Sequence, residues 1–394
     1  MGGGSAGRPA RDGSECKHRK PDASFISQSF QGRDEHSGTK TESPFMTHRS
    51  IRVAPWPEDA GNPYQRLFYE ALAPYGVTVA TGLNMNEATL RAMAAKIDVI
   101  HLHWPEYSWR VQGDPLFAEV GLVAGLSRSL QLAHRLNLRI WWTAHNVRPH
   151  EGHRLVNFLG YRVVGAHADL TIAHSQFAAE AVQNKYRCRR VIVMPHGNFD
   201  CAYPNPRPRE VVLRELDLDP RKPMVVCLGV VRKYKGIETG IDAVKRLGGR
   251  VQLLVAGDPK PDSGADQLKE HSTQWLRVRL HRLSDQEFSD FTGASDAVLL
   301  PYRHATTSGV LLAAWTSGRG VIASNIPCFA DELAGDTLAG VLARPGQPIE
   351  FARAIESYLS IPVKDREAAA LRLAARRDWS YCIRSVASMI SAEQ

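Results

Sequence analysis

The sequence has little that would staple, anchor or metallate a fold. Its six cysteines (16, 188, 201, 227, 328 and 382) are scattered, with no Cys-x-x-Cys pair. That pattern suggests neither a disulfide framework nor a zinc site and suits a reducing, cytoplasmic setting. No His-Glu-x-x-His helix occurs, so no metal is expected. The N-terminus lacks the apolar core of a signal peptide. The most apolar long stretch, Leu116 to Leu136, contains Glu119, Arg128, His134 and Arg135, which argues against a membrane span. No Gly-x-Gly-x-x-Gly follows any β-rich run, which argues against a nicotinamide dehydrogenase. Zinc-finger and aromatic RNA-binding signatures are also missing, so nucleic acid is not an expected partner.

What remains is a chain of 394 residues, 43% hydrophobic and 23% charged, the size of two ordinary domains. Its net charge of +8 gives a basic surface suited to diphosphates or anionic lipid. Residues 1–48 are rich in Gly, Ser, Lys, Arg and Asp and read as a disordered tail. From Ile51 onward, short β-rich runs alternate with helical segments, the pattern of parallel α/β sheets. Strands are expected at Ile51–Ala54, Val77–Ala80, Val99–His103, Ile140–Ala144, Leu170–Ala173 and Val191–Met194. A second series runs from Met224–Leu228 to Gly320–Ser324, with a helix expected over 265–271. The Pro-rich stretch Tyr203–Pro208 separates the two series. The expected organisation is therefore two tandem Rossmann-like domains, residues 49–204 and 205–375, with a cleft between them and a C-terminal helix over 376–394.

In open α/β sheets ligands sit beyond the carboxyl ends of the strands, so the loops there carry the most weight. One loop reads Gly229-Val230-Val231-Arg232-Lys233-Tyr234-Lys235-Gly236 and enters a helix. Gly229 and Gly236 permit close turns, and Arg232 and Lys235 supply positive charge. The helix start adds backbone donors, a combination suited to a diphosphate. A second loop, Tyr302 to Thr306-Thr307-Ser308-Gly309, also opens a helix and offers hydroxyls and amides to the same phosphates; Thr306 or Ser308 can cap that helix as well. In the first half, His101 and His103 alternate onto one face of a strand that ends at Trp104-Pro105-Glu106. Glu106 stands where a general base would. The next strand ends in His145-Asn146 and continues to Pro149-His150-Glu151, a second candidate carboxylate.

These motifs resemble a known family. Asn62-Pro63-Tyr64, His101 to Glu106, His145-Asn146, Pro149 to Glu151 and Arg232-x-Tyr234-Lys235-Gly236 occur in the same order in the β-mannosyltransferase of xanthan assembly. So do Leu300-Pro301-Tyr302, Ser308-Gly309 and Arg377-Asp378-Trp379. The resemblance implies a GT-B fold, inversion at the anomeric carbon and a GDP-mannose donor. It also implies a polyprenyl-diphosphate-linked or other glycan acceptor, a place in exopolysaccharide or cell-surface glycan synthesis, and peripheral attachment to the inner face of the plasma membrane. No cofactor beyond the nucleotide-diphosphate sugar substrate is implied.

The paired glutamates of the larger retaining GT-B families are missing; Ala305 and Ala313 stand in the corresponding places. Inversion, with Glu106 or Glu151 as base and His145 and Asn146 orienting the acceptor or sugar, follows. Asp217-Leu218-Asp219 matches the Asp-x-Asp signature of the other large glycosyltransferase fold, but it precedes a strand and reads as chance. A GT-B nucleotide-sugar epimerase and a transferase using a UDP-sugar are the alternatives.

Overall fold

A computed structural model describes residues 50–393 apart from 60, 111–115, 150, 151, 261, 262, 265–267 and 269–272. The expected tail, the helix expected over 265–271 and the candidate base Glu151 lie outside the described residues.

The first half runs β1 (Ile51–Trp56), α1 (Pro63–Leu72), β2 (Val77–Val79), α2 (Glu87–Met93), β3 (Val99–Leu102), α3 (Leu116–Arg135) and β4 (Arg139–Ala144). It continues with α4 (Arg154–His167), β5 (Leu170–Ala173), α5 (Gln176–Tyr186) and β6 (Val191–Val193). The second half runs α6 (Arg209–Glu215), β7 (Met224–Leu228), α7 (Ile237–Lys245), β8 (Gln252–Ala256), β9 (Leu276–Arg279) and α8 (Asp285–Ala294). Then come β10 (Ala297–Leu300), α9 (Gly309–Thr316), β11 (Val321–Ser324), α10 (Pro327–Leu333) and β12 (Gly340–Ala343). Helices α11 (Pro348–Ser360), α12 (Val363–Ala375), α13 (Trp379–Cys382) and α14 (Arg384–Glu393) follow.

Each half builds a six-stranded sheet, in the orders β2-β1-β3-β4-β5-β6 and β12-β11-β10-β7-β8-β9. All neighbouring strands are parallel. Their near-continuous apolar runs, such as Met224–Leu228, are buried on both faces, as helix-covered parallel sheets require. Strand order reverses between β1 and β3 in one sheet and between β7 and β10 in the other. A crevice opens at such a reversal, and the loops after β3, β7 and β10 border it. Three of the four candidate segments read from the sequence are those loops.

Local chemistry sets the helix starts. Asn62 accepts from the Tyr64 amide, with Pro63 in the first turn of α1. Ser284 and Glu287 form a reciprocal capping box on α8. The C-terminal helix expected from Trp379 is divided into α13 and α14. Asp217 and Asp219 are taken up by Arg277 and Arg221 at the surface.

The chain end returns to the first half. Trp379 Nε1 donates to the Asn198 carbonyl at 2.8 Å, and Ser385 Oγ donates to the Val193 carbonyl at 3.0 Å. Trp379 lies flat on Gly197, where an added Cβ would sit 2.2 Å from the indole. Gly197→Ala therefore overpacks the seam between the halves and is expected to cost about 1–3 kcal/mol. Thermal unfolding checks this, and an unchanged Tm contradicts it.

Candidate active site in the cleft

The second half presents two loops locked together. Gly236 is left-handed (φ 58°), and a Cβ there would meet the Pro301 carbonyl oxygen at 2.2 Å. Only glycine permits that approach. The Arg303 amide donates to the Tyr234 carbonyl at 2.7 Å, Tyr234 stacks on His304, and Arg303 pairs with Glu238. Gly229, also left-handed (φ 85°), lets Lys235 fold back over it, and Lys235 Nζ donates to the Leu228 carbonyl at 2.9 Å. That ammonium is buried and lies 5.4 Å from the centre of the Tyr302 ring, itself buried. Burial first, and then the Arg232 charge, lower the Lys235 pKa to about 8. A bound anion would relieve that mutual repulsion.

Across from this loop, Ser308 Oγ caps α9 by accepting from the Leu311 amide at 3.3 Å. Thr306 Oγ1 accepts from the amide of Val147 in the first half at 3.3 Å, so the halves touch at this loop. Thr307 and Gly309 are half-buried beside them. The capping role expected for Thr306 or Ser308 falls to Ser308 alone.

In the first half, His101 and His103 share one face of β3 as alternation requires, and α1 meets them. Tyr69 Oη lies 2.8 Å from His101 Nδ1 and 3.0 Å from His103 Nε2. His101 Nε2 reaches Thr143 Oγ1 at 2.8 Å, and His103 Nδ1 reaches His145 Nε2 at 3.2 Å. Tyr69 has one proton, so it donates to one imidazole and accepts from the other. This fixes the tautomers along the whole chain once one is set. Trp104 stacks on His145 at 4.6 Å.

Burial lowers the pKa of His101 and His196 to about 3 and that of His174 to about 4. His103 and His145 are also pushed well down, by burial first and then by neighbouring imidazoles. All five rings are therefore neutral at physiological pH and act through directed hydrogen bonds.

Glu106 follows β3 on a 3₁₀ turn, Pro105–Ser108, and is buried. Tyr161 on α4 donates to its Oε2 at 3.1 Å. Burial raises its pKa, while its own backbone amide, Arg110, Tyr161 and Arg232 pull it back. Arg232 thus acts electrostatically on Lys235 and, across the cleft, on Glu106. Asn146 is half-buried in the next loop.

Several site residues escaped the sequence reading. His174 follows β5 and His196 follows β6, the strand-end position that singled out Glu106. His174 Nδ1 lies 3.0 Å from the Met194 carbonyl and must donate to it, so Nε2 presents a lone pair. That buried Nε2 has no protein partner, and the ring lines a narrow cleft with Thr306, Thr307 and Ser308. Tyr69 and Tyr161 come from helices distant in sequence and carry no local signal. Among the described residues, no group of three or more His, Cys, Asp or Glu is placed to hold a metal ion.

Two Rossmann-like sheets facing a cleft make the GT-B fold, and the chain's family and relatives make the protein a glycosyltransferase. Residues 222–360 match the family described as glycosyl transferases group 1. The chain is 26% identical over 266 residues to the GDP-mannose:glycolipid 4-beta-D-mannosyltransferase of Xanthomonas campestris pv. campestris, covering 66% of this chain and 69% of that protein. It is 25% identical over 252 residues to the alpha-maltose-1-phosphate synthase of Mycolicibacterium smegmatis, covering 57% of this chain and 65% of that one. Among solved structures, sucrose-phosphate synthase from Thermosynechococcus elongatus superposes with a TM-score of 0.67 at 17% identity, over 88% of this chain and 99% of the other. Anabaena HepE in complex with UDP and glucose gives 0.64 at 15% identity, over 87% and 100%.

Proposed function

We propose that the protein transfers mannose from GDP-mannose, with inversion and without a metal, to a lipid-linked oligosaccharide in exopolysaccharide or cell-surface glycan synthesis. The reading is carried by the loop after β7, where Lys235 Nζ is buried over Gly229 and Gly236 locks the loop against Pro301, and is supported by the name of the Xanthomonas relative. The donor diphosphate lies against Arg232, Lys235 and the Thr306–Gly309 loop. Negative charge grows on it as the glycosidic bond breaks, and donors fixed in advance stabilise that charge without reorganising.

Glu106 takes the acceptor hydroxyl proton, and its burial strengthens it as a base. Glu151 is the other carboxylate to test, and His145 and Asn146 orient the acceptor or the transferred sugar. A UDP-sugar donor is the second reading, favoured by the HepE complex with UDP and glucose. Thermal shifts with GDP, UDP, dTDP and ADP separate the two: stabilisation by GDP alone is expected, and stabilisation by UDP alone overturns the mannosyl reading. Incubation with donor alone excludes an epimerase if no isomerised sugar forms.

The protein works peripherally on the inner face of the plasma membrane in this reading. Helix α3 is long and apolar enough to span a bilayer by composition, yet Val123, Leu126, Leu130 and Ala133 pack into the first half's core. Its exposed side carries Leu116, Phe117, Val120 and Leu122. A surface helix with that apolar strip suits interfacial contact.

The Tyr161 hydrogen bond holds the Glu106 pKa below what burial alone would give. The base must be ionised, so activity falls as pH drops through this pKa. Tyr161→Phe raises the pKa further, and the acid limb of kcat/KM is expected to move to higher pH. An unmoved limb separates Glu106 from the titrating base.

A further inference from the structure

A cavity of about 660 Å³ lies away from the donor loops. It lies in the first half between α2, α3, the end of β1 and the 3₁₀ turn after β3, a volume suited to one small ligand. Its walls combine two chemistries. Arg91, Arg128 and Arg135 line it against a single carboxylate, Glu87, which pairs with Arg91 at 2.8 Å. Two guanidinium charges are thus in excess, and the guanidinium fork matches phosphate oxygens. Met85, Leu122, Leu126 and Leu132 supply an apolar wall.

The two chemistries are ordered along α3. The exposed Leu116, Phe117 (87% exposed) and Val120 occupy its first turns, and the arginines its last. Phe117 and Arg128 are separated by about 16 Å at 1.5 Å per residue. Ser129 Oγ donates to the Met85 carbonyl at 2.9 Å and fixes the loop that forms the far wall. Ser108 Oγ also lines the cavity, buried and with no hydrogen-bond partner. It is on the same 3₁₀ turn as Glu106, so the polar end of the cavity begins one turn from the proposed base.

From this arrangement we infer that the cavity seats an amphiphile with a phosphate or diphosphate head. Its head meets Arg128 and Arg135, and its hydrocarbon leaves along the exposed apolar strip of α3. Resting on the function proposed above, this assigns the lipid-phosphate end of the acceptor to a site separate from the donor grip.

The test uses the full chain and farnesyl diphosphate as probe, with inorganic pyrophosphate and farnesol as the two half-ligands. The diphosphate is expected to bind at least about tenfold tighter than either half. Arg128→Gln/Arg135→Gln should weaken it tenfold or more. So should Gly125→Phe, since Gly125 lines the cavity and an added Cβ meets nothing nearer than Arg128 Nη2 at 4.0 Å. A non-glycine residue also favours the helix, so this variant keeps its fold. GDP affinity should be unchanged in both variants.

Three results overturn the inference: probe binding insensitive to both variants, displacement of the probe by GDP, or pyrophosphate binding as tightly as farnesyl diphosphate. Probe binding that behaves as expected in a protein that fails to transfer mannose sinks the functional reading and leaves the cavity assignment standing.

Discussion

Glu106→Gln is expected to reduce turnover by about 10²–10⁴-fold, the usual contribution of a positioned general base. The substitution keeps shape and burial, and glutamine still accepts the Tyr161 hydrogen bond, so the fold and the donor KM should be retained. Loss in kcat with an unchanged donor KM marks an interaction used in the chemical step. Glu151→Gln run beside it separates the two carboxylates. Near-full turnover in both variants removes a first-half carboxylate base from the mechanism. The acid limb should vanish with Glu106 and reappear, moved upward, in Tyr161→Phe.

The second large effect belongs to Lys235. If Lys235 holds the diphosphate as proposed, Lys235→Met removes a charge-assisted contact worth about 1.5–3 kcal/mol, or roughly 10–150-fold in donor affinity. The ammonium is buried before any ligand arrives, and its pKa is lowered to about 8. Below that pH the lysine is charged and donor affinity is flat. As pH rises through about 8 the free enzyme loses the proton and affinity falls. Bound diphosphate favours the ammonium, so the fall continues until the higher pKa of the complex is reached. Lys235→Met should abolish this slope. A slope that survives in the variant assigns the titration to another group.

These two residues also show how far the sequence could be read. Arg232, Lys235 and Glu106 were legible because each follows a β-rich run, and the doubly wound topology turns strand ends into a crevice. Both sheets, with all their strands except β12, were equally legible from apolar runs separated by helical spacing. Helices α2, α5, α10, α11 and α12 were missed. Helix α2 has seven residues and α5 is a polar, alanine-rich surface helix, so neither shows a clear apolar stripe, whereas α11 does carry one in Phe351, Ile355 and Tyr358.

The missed site residues have a different cause. Tyr69 and Tyr161 act through tertiary contacts with His101, His103 and Glu106, spanning 32 to 55 positions in sequence. No local pattern encodes such a distance. His174 and His196 could have been found by the rule that found Glu106. They stand just past the carboxyl ends of β5 and β6, on the edge that continues the same wall of the cleft.

The direct test of the diphosphate grip is calorimetric titration of GDP and UDP into the wild type and into Arg232→Ala/Lys235→Met, both in EDTA. One nucleotide should bind the wild type without added metal, and the double variant should lose at least about 100-fold of that affinity. Equal affinity in the two proteins, or binding that needs a divalent cation, would contradict the account.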